Sequence, residues 1–405
     1  MDRFLRIRDQ WLTAIVVALG VFVSFSASAE RSAADGGIRG VNMRLVPYLD
    51  ITSTTQADEL IRLNSARLDL AQKAGFNLVR IGVPMEPWIE RDSAAEQDKS
   101  LRLLREVLSS AAAKSLSANV VLFVPARKIV CEDQYRDPYR GGLHAVLTEL
   151  PDRPDIGIEV LSEPPTCGKT GGAIGAWGEL QTALYRVVRS VKQHIRFVVA
   201  GGGWGGIDGL LPLDPAPYRD DPNTMFTFHY YEPFLYTHQE VSWLRPDHVN
   251  KYVKDLAWPV EGANSGHVRD DALTALAKDQ SLEDTRRSED RRSLLRLFDE
   301  YAAQGTTSYL STRFQAVADW AGAHHLPTSR ILLGEFGVHR HMPTASVVSD
   351  PWPTAQIWLA AVRKEAERRG LGWFVWDLDS GFGVICGNGP GTGELCPSYR
   401  TLFGE

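Results

Sequence analysis

The chain has 405 residues, 44% hydrophobic and 9% aromatic, which supports one large core or two ordinary domains and excludes long disorder. Its formal charge is −6 with no basic stripe, so nucleic acid and anionic membrane are poor partners while neutral polymers fit.

In chain order, the first signal is at the N-terminus. Arg3, Arg6 and Arg8 precede an apolar stretch from Trp11 to Phe25, and Ala27-Ser28-Ala29 has the small-x-small pattern of a signal-peptidase site. The apolar run falls short of the roughly 20 residues that span a bilayer. Residues 1–29 are therefore expected to be a signal peptide and 30–405 the mature domain. The product would be periplasmic or extracellular, with no stable membrane association after cleavage.

Beyond it, short apolar runs alternate with longer amphipathic stretches, the pattern of a parallel sheet with crossover helices. Strands are predicted at 38–43, 78–83, 120–124, 156–161, 197–200, 225–231, 331–335 and 372–377. Helical patterns cover 55–73, 101–115, 176–194, 291–303 and 352–369. Four prolines in 211–222 make that stretch a loop. The longest departure from alternation is 236–307, whose mixed-sign charges read as a solvated helix face. Eight strand–helix units of one composition fit a single-domain (β/α)8 TIM barrel better than an open doubly wound sheet.

Two of these strands end on a glutamate. Glu163 closes the run that starts at Ile156, and Glu335 the run that starts at Ile331. A single glutamate after a strand is ordinarily a surface carboxylate. Two of them at the C-terminal edge of one barrel face a common pocket, and paired carboxylates there are the minimal machinery for glycosidic cleavage. Between them, the strand at 225–231 ends on His229 and Tyr231.

The four cysteines allow three pairings. Cys386–Cys396 would close a glycine-rich loop, and Cys131 and Cys167 each follow a strand end, so Cys131–Cys167 with Cys386–Cys396 is favoured. Disulfides suit an exported chain. No C-x-x-C spacing points to zinc.

Taken together, these segments resemble the endoglucanase-like glycoside hydrolase family 5, within the clan of barrel glycosidases. The resemblance rests on Gly37-Ile-Arg-Gly-Val-Asn42, Gly75-Phe-Asn-Leu-Val-Arg-Ile81, Val160-Leu-Ser-Glu-Pro164, His229-Tyr-Tyr231, Gly334-Glu-Phe-Gly337 and Trp373-Phe-Val-Trp-Asp377. It implies that Glu163 is the general acid/base and Glu335 the nucleophile. It further implies that Arg80 keeps the nucleophile ionised, that His229 and Tyr231 flank the cleaved sugar, and that Trp376 is its stacking floor. Two positions depart from the pattern. Ser162 stands where the family usually has Asn, and Pro125, Ala126 and Arg127 stand where it often has a pocket His.

Other motifs carry bland readings. The run Gly201–Gly206 satisfies G-x-G-x-x-G, but a dinucleotide site needs a long helix opening there, and the chain runs into Gly209 and Pro212 instead. We read it as a tight loop presenting Trp204 to the cleft. His324, His325, His339 and His341 lack a third ligand at metal spacing and read as loop histidines. Trp177, Trp320 and Trp358 lie on helical patterns as packing residues, whereas Trp88, Trp204 and Trp243 follow strand ends as candidate sugar platforms. The expectation is an exported, monomeric, retaining endo-β-glycosidase acting on β-1,4-glucan without metal or cofactor. Alternatives are a β-mannanase, a mixed-linkage glucanase, a transglycosylase or a non-catalytic polysaccharide-binding barrel.

Overall fold

A computed structural model describes residues 37–46, 56–90, 94–124, 126–165, 173–242, 249–261, 265–340, 354–387 and 391–404. The barrel unit begins at Arg39, and the expected signal peptide lies outside the described residues. Eight parallel strands close a barrel in sequence order: β1 (Arg39–Arg44), β2 (Leu78–Pro84), β3 (Ser117–Phe123), β4 (Ile156–Glu159), β5 (Arg196–Ala200), β6 (Thr224–His229), β7 (Ile331–Phe336) and β8 (Gly372–Val375). They form close to where expected because parallel strands under helices are buried on both faces and so read as unbroken apolar runs.

The long helices are α1 (Ala57–Lys73), α2 (Ala94–Ala113), α3 (Arg136–Glu149), α4 (Ala173–Val191), α5 (Ser265–Lys278), α6 (Asp284–Gln304), α7 (Thr307–Ala323) and α8 (Ala355–Arg368). Helix α1 shows the logic of the outer ring. Leu60, Asn64, Arg67, Leu68 and Ala71 share its buried face, and Asp58 and Glu59 meet the positive end of its dipole. Gly75, at φ +93°, then turns the chain back, and Phe76 N donates to Ala71 O across it. At α7 the Thr306 hydroxyl caps the helix by accepting from Tyr309 N at 3.0 Å.

Alternation fails at β5, which is followed by a single helical turn, Ile207–Leu210, and then the proline-rich loop. The stretch between β6 and β7 holds the polar helices α5 and α6 in addition to α7. Trp177, Trp320 and Trp358 are buried as packing residues. After β8 a two-stranded hairpin, β9 (Ile385–Cys386) and β10 (Glu394–Leu395), is stapled by the Cys386–Cys396 disulfide. Cys131 is also disulfide-bonded; its expected partner, Cys167, lies outside the described residues. Among the described residues no helix is long and apolar enough to cross a membrane.

Candidate active site

The C-terminal ends of β1, β2, β4, β6, β7 and β8 supply the polar side chains that meet at the barrel mouth. Glu335 gets there through an irregularity. The β6–β7 register shifts so that His229 pairs with Glu335, and the β7–β8 register shifts between Leu333 and Phe336. Such a bulge re-aims a side chain. Gly334 is what the bulge needs, because a Cβ there would come within 2.4 Å of Thr227 Oγ1.

Glu335 is then held from both sides. Arg80 Nη1 donates to one of its oxygens at 2.7 Å, and the Tyr231 hydroxyl donates to the other at 3.0 Å. Burial, and then the Glu335 charge, raises the Tyr231 pKa well above its ordinary value, so it stays a neutral donor. For Arg80, burial opposes the charge, but the charges of Glu159 and Glu335 and hydrogen bonds to them outweigh it and raise its pKa.

Glu163 sits differently. Its backbone is in the left-handed region at φ +50°, a conformation that costs a non-glycine residue energy and clusters at functional sites. Its side chain is 42% exposed, against 5% for Glu335. His229 lies between the two, with Nδ1 at 3.1 Å from Glu163 and 3.6 Å from Glu335. Burial works against a charged His229, yet the Glu335 charge and the Glu163 hydrogen bond prevail and raise its pKa. One donor atom from each of Glu163, His229 and Glu335 falls within a 4.8 Å span. Within this trio both Glu335 oxygens already accept, one from Arg80 and the other from Tyr231.

The remaining expected residues gather around this centre. Trp376 is half-buried directly after β8, its ring centroid 6.0 Å from that of Phe123 on β3. Trp204 is 50% exposed, and its backbone N donates to Pro164 O, which ties it to the loop carrying Glu163. Ser162 is buried, but its hydroxyl reaches only to 3.5 Å from Arg80 Nη2, too long for a strong hydrogen bond. The side chains of Ala126 and Arg127 and all of Pro125 lie outside the described residues, as do Trp243 and His341. One expectation needs correction. Trp88 is buried on the short helix Glu86–Ile89 and packs against Gly142 of α3, so it offers no sugar platform. His339 lies in the loop after β7, as expected, but is buried there, with Nδ1 at 3.2 Å from Gln239 O.

The structure adds two residues that the sequence reading left unassigned. Glu159 on β4 takes Arg80 Nε and Nη2 in a bidentate pair, both at 2.9 Å, with both side chains 1% exposed. Asn42 on β1 accepts from Arg80 Nη1 at 2.7 Å and donates to Gly334 O and Val375 O, which sews β1 to β7 and β8. The signal for Glu159 was available: a charged residue inside an otherwise apolar strand needs a buried partner. Beside the site, Arg67 of α1 makes a bidentate pair with Asp379 at 2.6 Å, and Asp377 accepts from Ser380.

Residues 49–381 match the family model for cellulase, glycosyl hydrolase family 5. Endoglucanase 3 of Fibrobacter succinogenes is 23% identical over 234 residues, covering 58% of this chain but 31% of that protein. Endoglucanase C of Acetivibrio thermocellus is 26% identical over 92 residues, 23% of this chain and 24% of that protein. The chain thus spans under a third of the curated relatives it matches. Among solved structures, the cellulose synthase subunit Z of Clostridioides difficile superposes with a TM-score of 0.61 at 18% identity, covering 90% of this chain and 99% of that one. Thermotoga maritima Cel5A in complex with cellobiose gives 0.59 at 20% identity, covering 86% and 92%. These likenesses show the barrel fold, and because the family model runs across most of the barrel, the chain belongs to glycosyl hydrolase family 5.

Proposed function

We propose that the protein is a retaining endo-β-glycosidase that cuts β-1,4-glucan with Glu335 as nucleophile and Glu163 as general acid/base. One observation carries this reading: oxygens of the two carboxylates lie within 4.8 Å of each other. Retaining glycosidases hold their carboxyls about 5–5.5 Å apart, whereas inverting enzymes leave about 6.5–9.5 Å for an intervening water.

In the first step Glu335 attacks the anomeric carbon while Glu163 protonates the departing glycosidic oxygen, leaving a glycosyl ester on Glu335. In the second, Glu163 takes a proton from water, which attacks the same carbon and frees Glu335. Arg80 and Tyr231 orient the nucleophile, Trp376 stacks on the bound sugar, and Trp204 supports the leaving side beside Glu163. The exposure of Glu163 suits a group that must exchange a proton with solvent in every cycle. Removal of residues 1–29 on export, and work outside the cytoplasm as a monomer, complete the proposal; the Cys386–Cys396 disulfide supports the location outside the cytoplasm.

The test is reducing-sugar release from carboxymethyl cellulose, barley β-glucan, glucomannan, galactomannan and xyloglucan, comparing wild type with Glu335→Gln. Cleavage by wild type alone supports the reading and names the polymer. Preferential cutting of galactomannan would instead identify a β-mannanase on the same two glutamates. Binding of a polymer without cleavage would leave a non-catalytic barrel.

A further inference from the structure

Among the described residues Arg80 is the one cation in direct hydrogen-bond contact with the proposed nucleophile, yet most of its hydrogen bonding points away from it. Its Nε–Nη2 edge is committed to Glu159, and only Nη1 faces Glu335, shared there with Asn42. The buried set Glu159–Arg80–Glu335 therefore carries two negative charges and one positive. Were Arg80 alone with Glu335, the pair would be neutral, and a carboxylate fully compensated by a guanidinium is a weaker nucleophile and a weaker source of negative potential. We propose that Glu159 is a positioning residue whose charge, by occupying Arg80, keeps Glu335 reactive and Glu163 protonated until the sugar is attacked. This deepens the hydrolase reading and rests on its assignment of Glu163 and Glu335.

The surrounding charges make the sign definite. Glu159 faces Arg80 from β2 and the Tyr139 phenol from α3, which burial and then the Glu159 charge keep neutral. Glu335 faces Arg80, Tyr231 and His229, with Arg44 at the end of β1 near enough to feel its charge. Asp377 after β8 adds a further negative group beside Tyr231. None of the others pairs with Arg80, so neutralising Glu159 leaves that cation to act on Glu335 and Glu163. Both carboxyls should then ionise more easily.

The experiment is the pH profile of kcat/KM for wild type, Glu159→Gln and Glu159→Asp. Glu159→Gln should move both limbs of the bell to lower pH by about one unit, so that kcat/KM at a fixed pH falls about tenfold on the alkaline limb and rises about tenfold on the acid limb. Glu159→Asp keeps the charge and should return both limbs to near the wild-type positions, even at a reduced rate. A merely structural role predicts the opposite sign. If Arg80 slips away from Glu335, the acid limb moves up; that result, or a uniform loss with unmoved limbs, overturns the proposal. Should Glu159→Gln not fold, a raised acid limb in Glu159→Asp overturns it and unmoved limbs there support it. Carboxyl 13C titration of labelled glutamate, with the Glu335 signal identified by its loss in Glu335→Gln, reads the same shift without turnover. An inactive wild type would thus sink the hydrolase reading while Glu159 is still judged by the titration.

Discussion

Glu335 and Glu163 are the same residue type on strands that open into one mouth, yet their settings are opposites. Glu335 is buried, held by Arg80 and Tyr231, and placed by a strand irregularity. Glu163 follows β4, is half-exposed, adopts a left-handed backbone, and has the shared His229 as its near partner. Restraint suits the role proposed for Glu335, a strike on one carbon at one angle. Exposure suits the role proposed for Glu163, the collecting and returning of protons. Environment, not residue type, separates the roles.

The largest break in this comparison is Glu335→Gln. It leaves the shape and removes the proposed nucleophile, and the expected loss in kcat is about 10^4 to 10^6-fold on every substrate that the wild type cuts. Glu163→Gln should cost less, about 10^2 to 10^4-fold on polymer. With an aryl glycoside whose leaving group needs no proton, its first step should recover most of the wild-type rate, seen as a burst of released phenol. Equal losses on both substrates would show that Glu163 does not act as the acid.

A third carboxylate sharpens the contrast through stability. Asp377 is buried beside Asp379, and burial, then that like charge, lifts its pKa from 3.8 to about 6. A carboxyl raised on folding contributes stability fully present below its unfolded value and lost as pH rises through the folded one. Wild type should therefore lose about 2.5 kcal/mol relative to Asp377→Asn between about pH 4 and pH 7. Urea unfolding of both proteins at the two pH values checks this, and parallel curves would refute it. The smallest effect is expected far from the mouth. Thr306→Ala removes the α7 cap and should cost about 1 kcal/mol while leaving kcat unchanged.

These features were not equally visible in the sequence. The barrel strands were, because burial on both faces writes itself as runs such as that of β2. Both mouth glutamates were, because each closes such a run. Glu159 was not singled out: its meaning depends on Arg80, a residue 79 positions away on another strand. Helix α3 gives little helical pattern, since it opens on Arg136-Asp-Pro and carries Gly141 and Gly142, the latter making room for Trp88. Trp88 itself was misplaced because a tryptophan after a strand end looks the same whether it lines a cleft or packs beneath it.

The Cys386–Cys396 bond has a practical meaning. The chain after Trp376 folds back as a strap: Val384 N donates to Asp377 O, Ile385 N to Leu378 O, and Cys396 N to Val384 O. The Phe382 ring in that strap lies 6.1 Å from Tyr231, the residue that steadies Glu335. Arg340 Nη1 reaches Cys396 Sγ at 3.2 Å, and Cys396 is buried inside the fold. Material made in a reducing cytosol lacks the staple, and a site-resolved count of free thiols at Cys386 and Cys396, kept apart from those of Cys131 and its partner, then measures what fraction of a preparation carries an open strap. Specific activity should fall in proportion to that count, which makes the assay a batch control for anyone producing the enzyme.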